Sequence, residues 1–168
     1  MSYRFQSAPP SGGWVVSRGT GDMRNHRGMV LQEVCNLEHE CALLLFSHFS
    51  KSNPKITWER ASSELFGEFG MFGSLSRMVR ISEYLGLLSD DEIHDLRLLA
   101  KLRNMYAHGR ERGQFMDDSK ATSVLRALKL VENSRTLLSG VTDEGVFDAA
   151  AGFLKARIES RRLSLSGT

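Results

Sequence analysis

Between Ile93 and Ala107 the apolar residues return every three or four positions. Nothing else in the chain constrains its fold as tightly. Ile93, Leu96, Leu99, Ala100, Leu102, Tyr106 and Ala107 fall on one arc of a helical wheel, the signature of an amphipathic helix. A strand would put successive residues on opposite faces instead. The rhythm predicts a helix over residues 90–108, ended by Gly109. Ser89 and Glu92 form a capping box before it, and Asp90 and Asp91 complement the positive end of its dipole.

The same period organises most of the chain. From residue 22 to about 50, Leu31, Val34, Leu37, Cys41, Ala42, Leu45, Phe46 and Phe49 share one arc, while Gln32, Glu33, Asn36, His39 and Glu40 share the other. Asn53-Pro54 breaks the pattern, and Thr57 is placed to cap a short helix over 58–66. The run GEFGMFG at 67–73 is a glycine-spaced turn. It lacks the GK[ST] ending and the preceding strand of a phosphate loop. Phe69 and Phe72 are expected to pack beneath it. A helix over 74–88 turns Met78, Ile81, Leu85 and Leu88 inward, with Arg80 and Glu83 able to pair outside. The brief connection Gly86–Glu92 then implies an antiparallel hairpin with the 90–108 helix.

After a polar loop, Asp118 or Ser119 caps a helix expected to reach Ser139 through Val124, Leu125, Leu128, Val131 and Leu138. Thr142 opens a last helix with Val146, Phe147, Ala150, Phe153, Leu154 and Ile158 inward, ending at Arg161-Arg162. No stretch alternates with period two for long enough to make a strand. The reading is all-α: an antiparallel bundle of five or six helices. Residues 1–21 read as a flexible arm, 22–163 as one helical domain and 164–168 as a flexible tail. Trp14-Val15-Val16 is the only apolar patch of the arm.

A hydrophobic content of 41% is enough for a core, and a net charge of +2 neither demands nor excludes nucleic acid. Cys35 and Cys41 would point to different sides of one helix, which argues against a disulfide, and no CxxC or Cys/His zinc spacing occurs. His26, His39, His48 and His94 show no HExxH or other paired spacing. No metal or cofactor is expected. The N-terminus has no signal-peptide apolar core, and the run Cys41–Phe46 is too short to cross a bilayer. A reduced, cytoplasmic setting is the expectation, with no membrane association.

The informative residues are those that break the pattern. Arg103 lies inside the apolar arc, between Leu99 and Leu96. An arginine cannot shed its charge, so it needs a carboxylate, carbonyls or an anionic ligand there. Glu38 has the opposite problem on the first helix, with Arg27 close to the same arc. An internal Glu38–Arg103 ion pair is one solution. A cationic phosphate pocket, with Arg103 as clamp and His108 as acid or base, is the other. Asn104 and His108, four apart, stack on one edge, with Arg97 one turn below Lys101 on the same side; Arg77 lies at the edge of its own helix's inward stripe.

The run Arg103-Asn104-Met-Tyr-Ala-His108 resembles the R-x4-H motif of the HEPN superfamily, with its polar residue after the arginine. Phe72-Gly-Ser-Leu-Ser-Arg-Met-Val-Arg80, Leu85-Gly-Leu-Leu88 and the following Leu96–His108 resemble the mannitol operon repressor (MtlR) family, as does Arg27-Gly28 before a long apolar face. The likeness covers roughly residues 24–140. It implies a helical bundle and a transcriptional-regulatory role. The sequence offers no helix-turn-helix with a basic recognition helix, so a regulator of this type would act through a protein partner or bind DNA in an unorthodox way. The HEPN likeness implies an alternative: a metal-independent endoribonuclease in which Arg103 and His108 of two protomers, assisted by Asn104, meet at a scissile RNA phosphate. Arg27, Glu38, Arg77, Arg97, Arg103 and Asn104 form the expected polar cluster. A homodimer is the family expectation, and Val79 and Leu98, off the main apolar stripes, are candidates for burial in it.

Overall fold

A computed structural model describes residues 26–108, 119–130 and 142–166, with the side chains of 26, 27, 108, 119 and 166 outside the description. The expected arm at 1–21 and the positions Val131 and Leu138 lie outside the described residues. Six helices follow one another: α1 (His26–Ser52), α2 (Trp58–Glu64), α3 (Leu75–Tyr84), α4 (Asp90–His108), α5 (Ser119–Arg126) and α6 (Asp143–Ser166). The fold is an all-α bundle, as the periodicity predicts. Among the described residues no helix is long and apolar enough to cross a membrane.

Two long helices organise the packing. α1 touches α2, α3, α4 and α6, and α4 touches α1, α3, α5 and α6. Val34, Leu37, Cys41 and Leu45 of α1 are sealed, joined by Leu44. From α4 come Ile93, Leu96, Leu99 and Leu102, and from α6 Phe147, Ala150, Leu154 and Ile158. Each buried Leu, Ile or Phe removes enough apolar surface from water to contribute about 1.5–3 kcal/mol before entropy is set against it. Val79 is also 1% exposed and Leu98 packs against the core, so the bundle itself uses the two residues expected at a dimer surface.

The helix ends show what the periodicity alone misses. Thr57 caps α2 as expected, its Oγ1 accepting from Arg60 N–H at 3.4 Å. Two successive tight turns follow: Gly70 N–H donates to Gly67 O at 2.8 Å and Gly73 N–H to Gly70 O at 3.1 Å. In the first turn Phe69 is a corner residue, and it points out, 97% exposed. Phe72, on the return, is buried and stacks on Phe49. Only one of the two rings expected beneath this turn is there.

α3 stops at Tyr84, short of the expected Leu88. Gly86 adopts φ +64°, a conformation that favours glycine. Gly86 N–H bonds Glu83 O and Leu87 N–H bonds Ser82 O, the paired closing bonds of a Schellman cap. α5 ends at Arg126 and not at Ser139, for a reason that lies on α4 and is given below. In α6 the helix passes Arg162 and continues to Ser166, beyond the expected boundary at 163. Phe153, expected inward, is 45% exposed.

Candidate functional site

Leu88, Glu92, Asp95, Leu99, Leu102 and Tyr106 follow one another at alternating spacings of four and three, so they share the inner face of α4 and its approach. Two of the six are acids, and both are fully buried. Glu92 closes the expected capping box: its Oε2 accepts from Ser89 N–H at 2.7 Å, and Glu92 N–H donates to Ser89 Oγ at 3.4 Å. It also receives α6, with Arg161 Nη2 at 2.9 Å from Oε2 and Arg157 Nη1 at 3.6 Å from Oε1.

Asp95 holds backbone. Its two oxygens accept from Lys129 N–H and Leu130 N–H, each at 2.9 Å, and His94 Nδ1 lies 3.0 Å from Oδ1. These amides are spent on a carboxylate and not on carbonyls four residues earlier. That is why α5 cannot run on toward Ser139 although no proline or glycine stops it there. The sequence reading passed over Asp95, Arg157 and Arg161. The available signal was an acid at a core position of the four-three rhythm, where a carboxylate is costly unless it is bonded.

The outer edge of α4 carries the opposite charge. Arg97, Lys101 and Asn104 are spaced i, i+4, i+7 and so share one edge. With Ser76 of α3, Ala100 and Met105 they line an open groove of about 490 Å³. Arg97 Nη2 donates to Glu83 Oε2 across the hairpin. Glu83 thus pairs with α4 and not with Arg80, the partner expected on its own helix. Among the described residues Arg80 and Lys101 are exposed and have no ion-pair partner.

The expected cluster therefore separates. Arg103 is half-buried on the other side of α4 from the groove and faces α1. It makes no ion pair with Glu38 among the described residues. Glu38 has a nearer solution: its Oε1 accepts from Leu75 N–H at 2.7 Å, at the positive end of α3, where a carboxylate is favoured. Ser74 supplies no side-chain cap there, so Glu38 takes that role from another helix.

Cys35 reports on the same neighbourhood. Partial burial and the charge of Glu38 raise its thiol pKa, and Arg103 opposes them. Cys41, sealed in the core, is pushed up to about 12 by burial, with Glu38 and Glu40 adding to it. Both cysteines are free thiols. Arg77 lies apart, its Nη1 donating to Gly70 O at 3.4 Å and steadying the glycine turn. The side chains of Arg27 and His108 lie outside the described residues. Of the expected site residues, Arg97 and Asn104 share the groove, Arg103 and Glu38 face α1 and α3, and Arg77 serves the turn. Among the described residues no cluster of His, Cys, Asp and Glu is arranged to hold a metal ion.

Compared with family models, with curated proteins and with solved structures, the chain finds no match.

Proposed function

We propose that this chain is a regulatory helical protein of the MtlR-like type, a transcriptional regulator that acts by holding a protein partner. A cytoplasmic setting and a homodimeric state belong to the same reading. One observation carries it: the turn between α2 and α3 presents Phe69, 97% exposed, beside Met71, 68% exposed. Aromatic side chains in such positions supply much of the energy of protein interfaces.

The turn is also too tight for anything but glycine at its three spaced positions. A Cβ at Gly67 would stand 2.5 Å from Ser63 O, one at Gly70 2.5 Å from Leu65 O and one at Gly73 2.2 Å from Gly67 O. The test compares the wild-type chain with Phe69→Asp. Phe69 touches little, so the variant should keep its melting temperature, while a discrete protein retained by the wild type is lost. Sequence-specific duplex binding by the purified chain in a gel shift, unchanged in Phe69→Asp, would sink this reading.

A second reading is metal-independent RNA cleavage by Arg103 and His108, with Asn104, across a homodimer. Exposed Lys101 beside Asn104 on the outer edge of α4 favours it as a contact for RNA phosphates, although Arg103 itself faces the other side of the helix. Cleavage of single-stranded RNA in EDTA, abolished by His108→Ala with the fold intact, is its expected outcome.

A further inference from the structure

Among the described residues α6 is covered on one side. Phe147, Ala150, Ala151, Leu154 and Ile158 turn into the bundle, where α6 packs on α1, α4 and α5. Phe153, Ala156, Ser160 and Leu163, spaced i, i+3, i+7, i+10, share the opposite side, and all four are exposed. Phe153 is 45% exposed although it sits in the middle of the helix. Beside it, a Cβ added at Gly152 would meet nothing within 4 Å. The helix backbone is therefore bare next to the Phe153 ring, and a second ring can settle against both.

The size of this face says what fits it. A stable interface between two chains takes about 20–30 residues a side. The outer side of α6 offers two large apolar residues, Phe153 and Leu163, and small ones between and beside them. That suits a short segment and is too little for a second copy. The chain carries such a segment. Residues 1–25 precede the described chain and join it at His26, the first residue of α1. Trp14-Val15-Val16, between Gly13 and Ser17, is their apolar run.

The chain length also fits. Twelve residues separate Trp14 from His26, a reach of about 40 Å when extended. α1 and α6 lie together near their starts: burial, Glu144 and, from α1, Glu33 raise the pKa of Asp148. Glu33 is seven residues past His26 and Phe153 five past Asp148, about 10 Å and about 8 Å along their helices. With about 10 Å between neighbouring helix axes, Phe153 stands within about 30 Å of His26. Phe69 belongs to the other end of α1. Phe72, on the same turn, stacks on Phe49, which is 23 residues and about 35 Å along α1 from His26.

We propose that the outer face of α6 is the docking site of the chain's own N-terminal arm, with Trp14 seated over Gly152 against the Phe153 ring. Val16, on the same side of an extended segment as Trp14, rests on the adjoining turn of α6. The proposal stands on this face alone and does not depend on the partner-binding reading.

The experiment observes the tryptophan indoles of the full chain by NMR, with the Trp14 signal identified through Trp14→Phe. It is paired with iodoacetamide labelling of Gly152→Cys, read by mass spectrometry at that peptide; the open space at Gly152 admits the new side chain. Nuclear Overhauser contacts between the Trp14 indole and the Phe153 ring are expected, unchanged on dilution. The introduced thiol should be labelled about threefold or more slowly than when Trp14→Ala is added, since an arm docked two-thirds of the time leaves the thiol open for one-third. A Trp14 indole without contact to Phe153, or equal labelling in the two backgrounds, overturns the proposal. Protection that fades on dilution assigns the face to a second copy and overturns it as well. So do contacts of Trp14 with Phe69, which would place the arm at the glycine turn.

Discussion

The two faces of α4 handle charge in opposite ways. Inside, Glu92 and Asp95 are sealed from water, and each is consumed by partners from distant parts of the chain: Arg157 and Arg161 for the first, the amides of Lys129 and Leu130 for the second. Outside, Lys101 stands in water with no ion-pair partner among the described residues. A buried carboxylate persists only where bonds replace its hydration, so the inner acids are committed to architecture. An exposed cation needs no replacement and keeps its charge for a ligand. On this helix, burial separates the residues that build from those that can bind.

Asp95→Ala should break the inner half of that contrast most visibly. The substitution empties a fully buried carboxylate site and leaves two part-buried amides without their acceptor, and each unsatisfied group costs about 1–3 kcal/mol. The expected loss is about 3–5 kcal/mol in urea unfolding, with hydrogen exchange rising first at Lys129 and Leu130. A loss below about 1 kcal/mol would mean that the segment after α5 is held by something other than Asp95.

Periodicity reads out whatever depends on burial of apolar faces. The existence, order and inner faces of α1, α4 and α6 were legible from residues such as Leu37, Leu99 and Phe147. Caps with local signals, Thr57 and Ser89 with Glu92, were legible too. What stayed hidden depends on contacts between residues far apart in sequence. The Glu38 carboxylate was recognisable as a misfit, but its partner, the Leu75 amide, carries no side-chain signal. The end of α5 likewise has no local mark, because the group that diverts its amides sits 34 residues earlier. The candidate site was legible in part: Arg97 and Asn104 were named as one edge of a helix, whereas the place of Ser76 beside them needed the α3–α4 hairpin packing.

The contrast between sealed and open recurs on α1, where the two thiols sharpen it. Cys41, with its pKa pushed up to about 12, should resist iodoacetamide in the native chain, while Cys35 reacts. Cys35 should react more slowly than a fully solvated thiol, because partial burial and Glu38 raise its pKa. Arg103 works against that rise, so Arg103→Ala should slow the labelling of Cys35 further. Unchanged labelling would show that Arg103 does not bear on α1. The sign for stability follows from the raised pKa of Cys41. The folded thiol stays protonated while the unfolded one ionises from its ordinary value of 9.0. Its contribution is full below that pH and is lost as pH rises toward about 12.

The smallest effect belongs to the outer face. Lys101 is exposed and makes no ion pair among the described residues, so Lys101→Ala breaks no bond. The expected change stays within a few tenths of a kcal/mol, the scale of exposed charges. What change there is should disappear in about 1 M salt, where the screening length is only about 3 Å. Urea midpoints at low and high salt read it. A loss of 1 kcal/mol or more in Lys101→Ala would place Lys101 with the architectural residues of the inner face. An edge held for binding can be rewritten at little cost in stability, whereas Asp95 cannot, and that difference in tolerance is what the two substitutions measure.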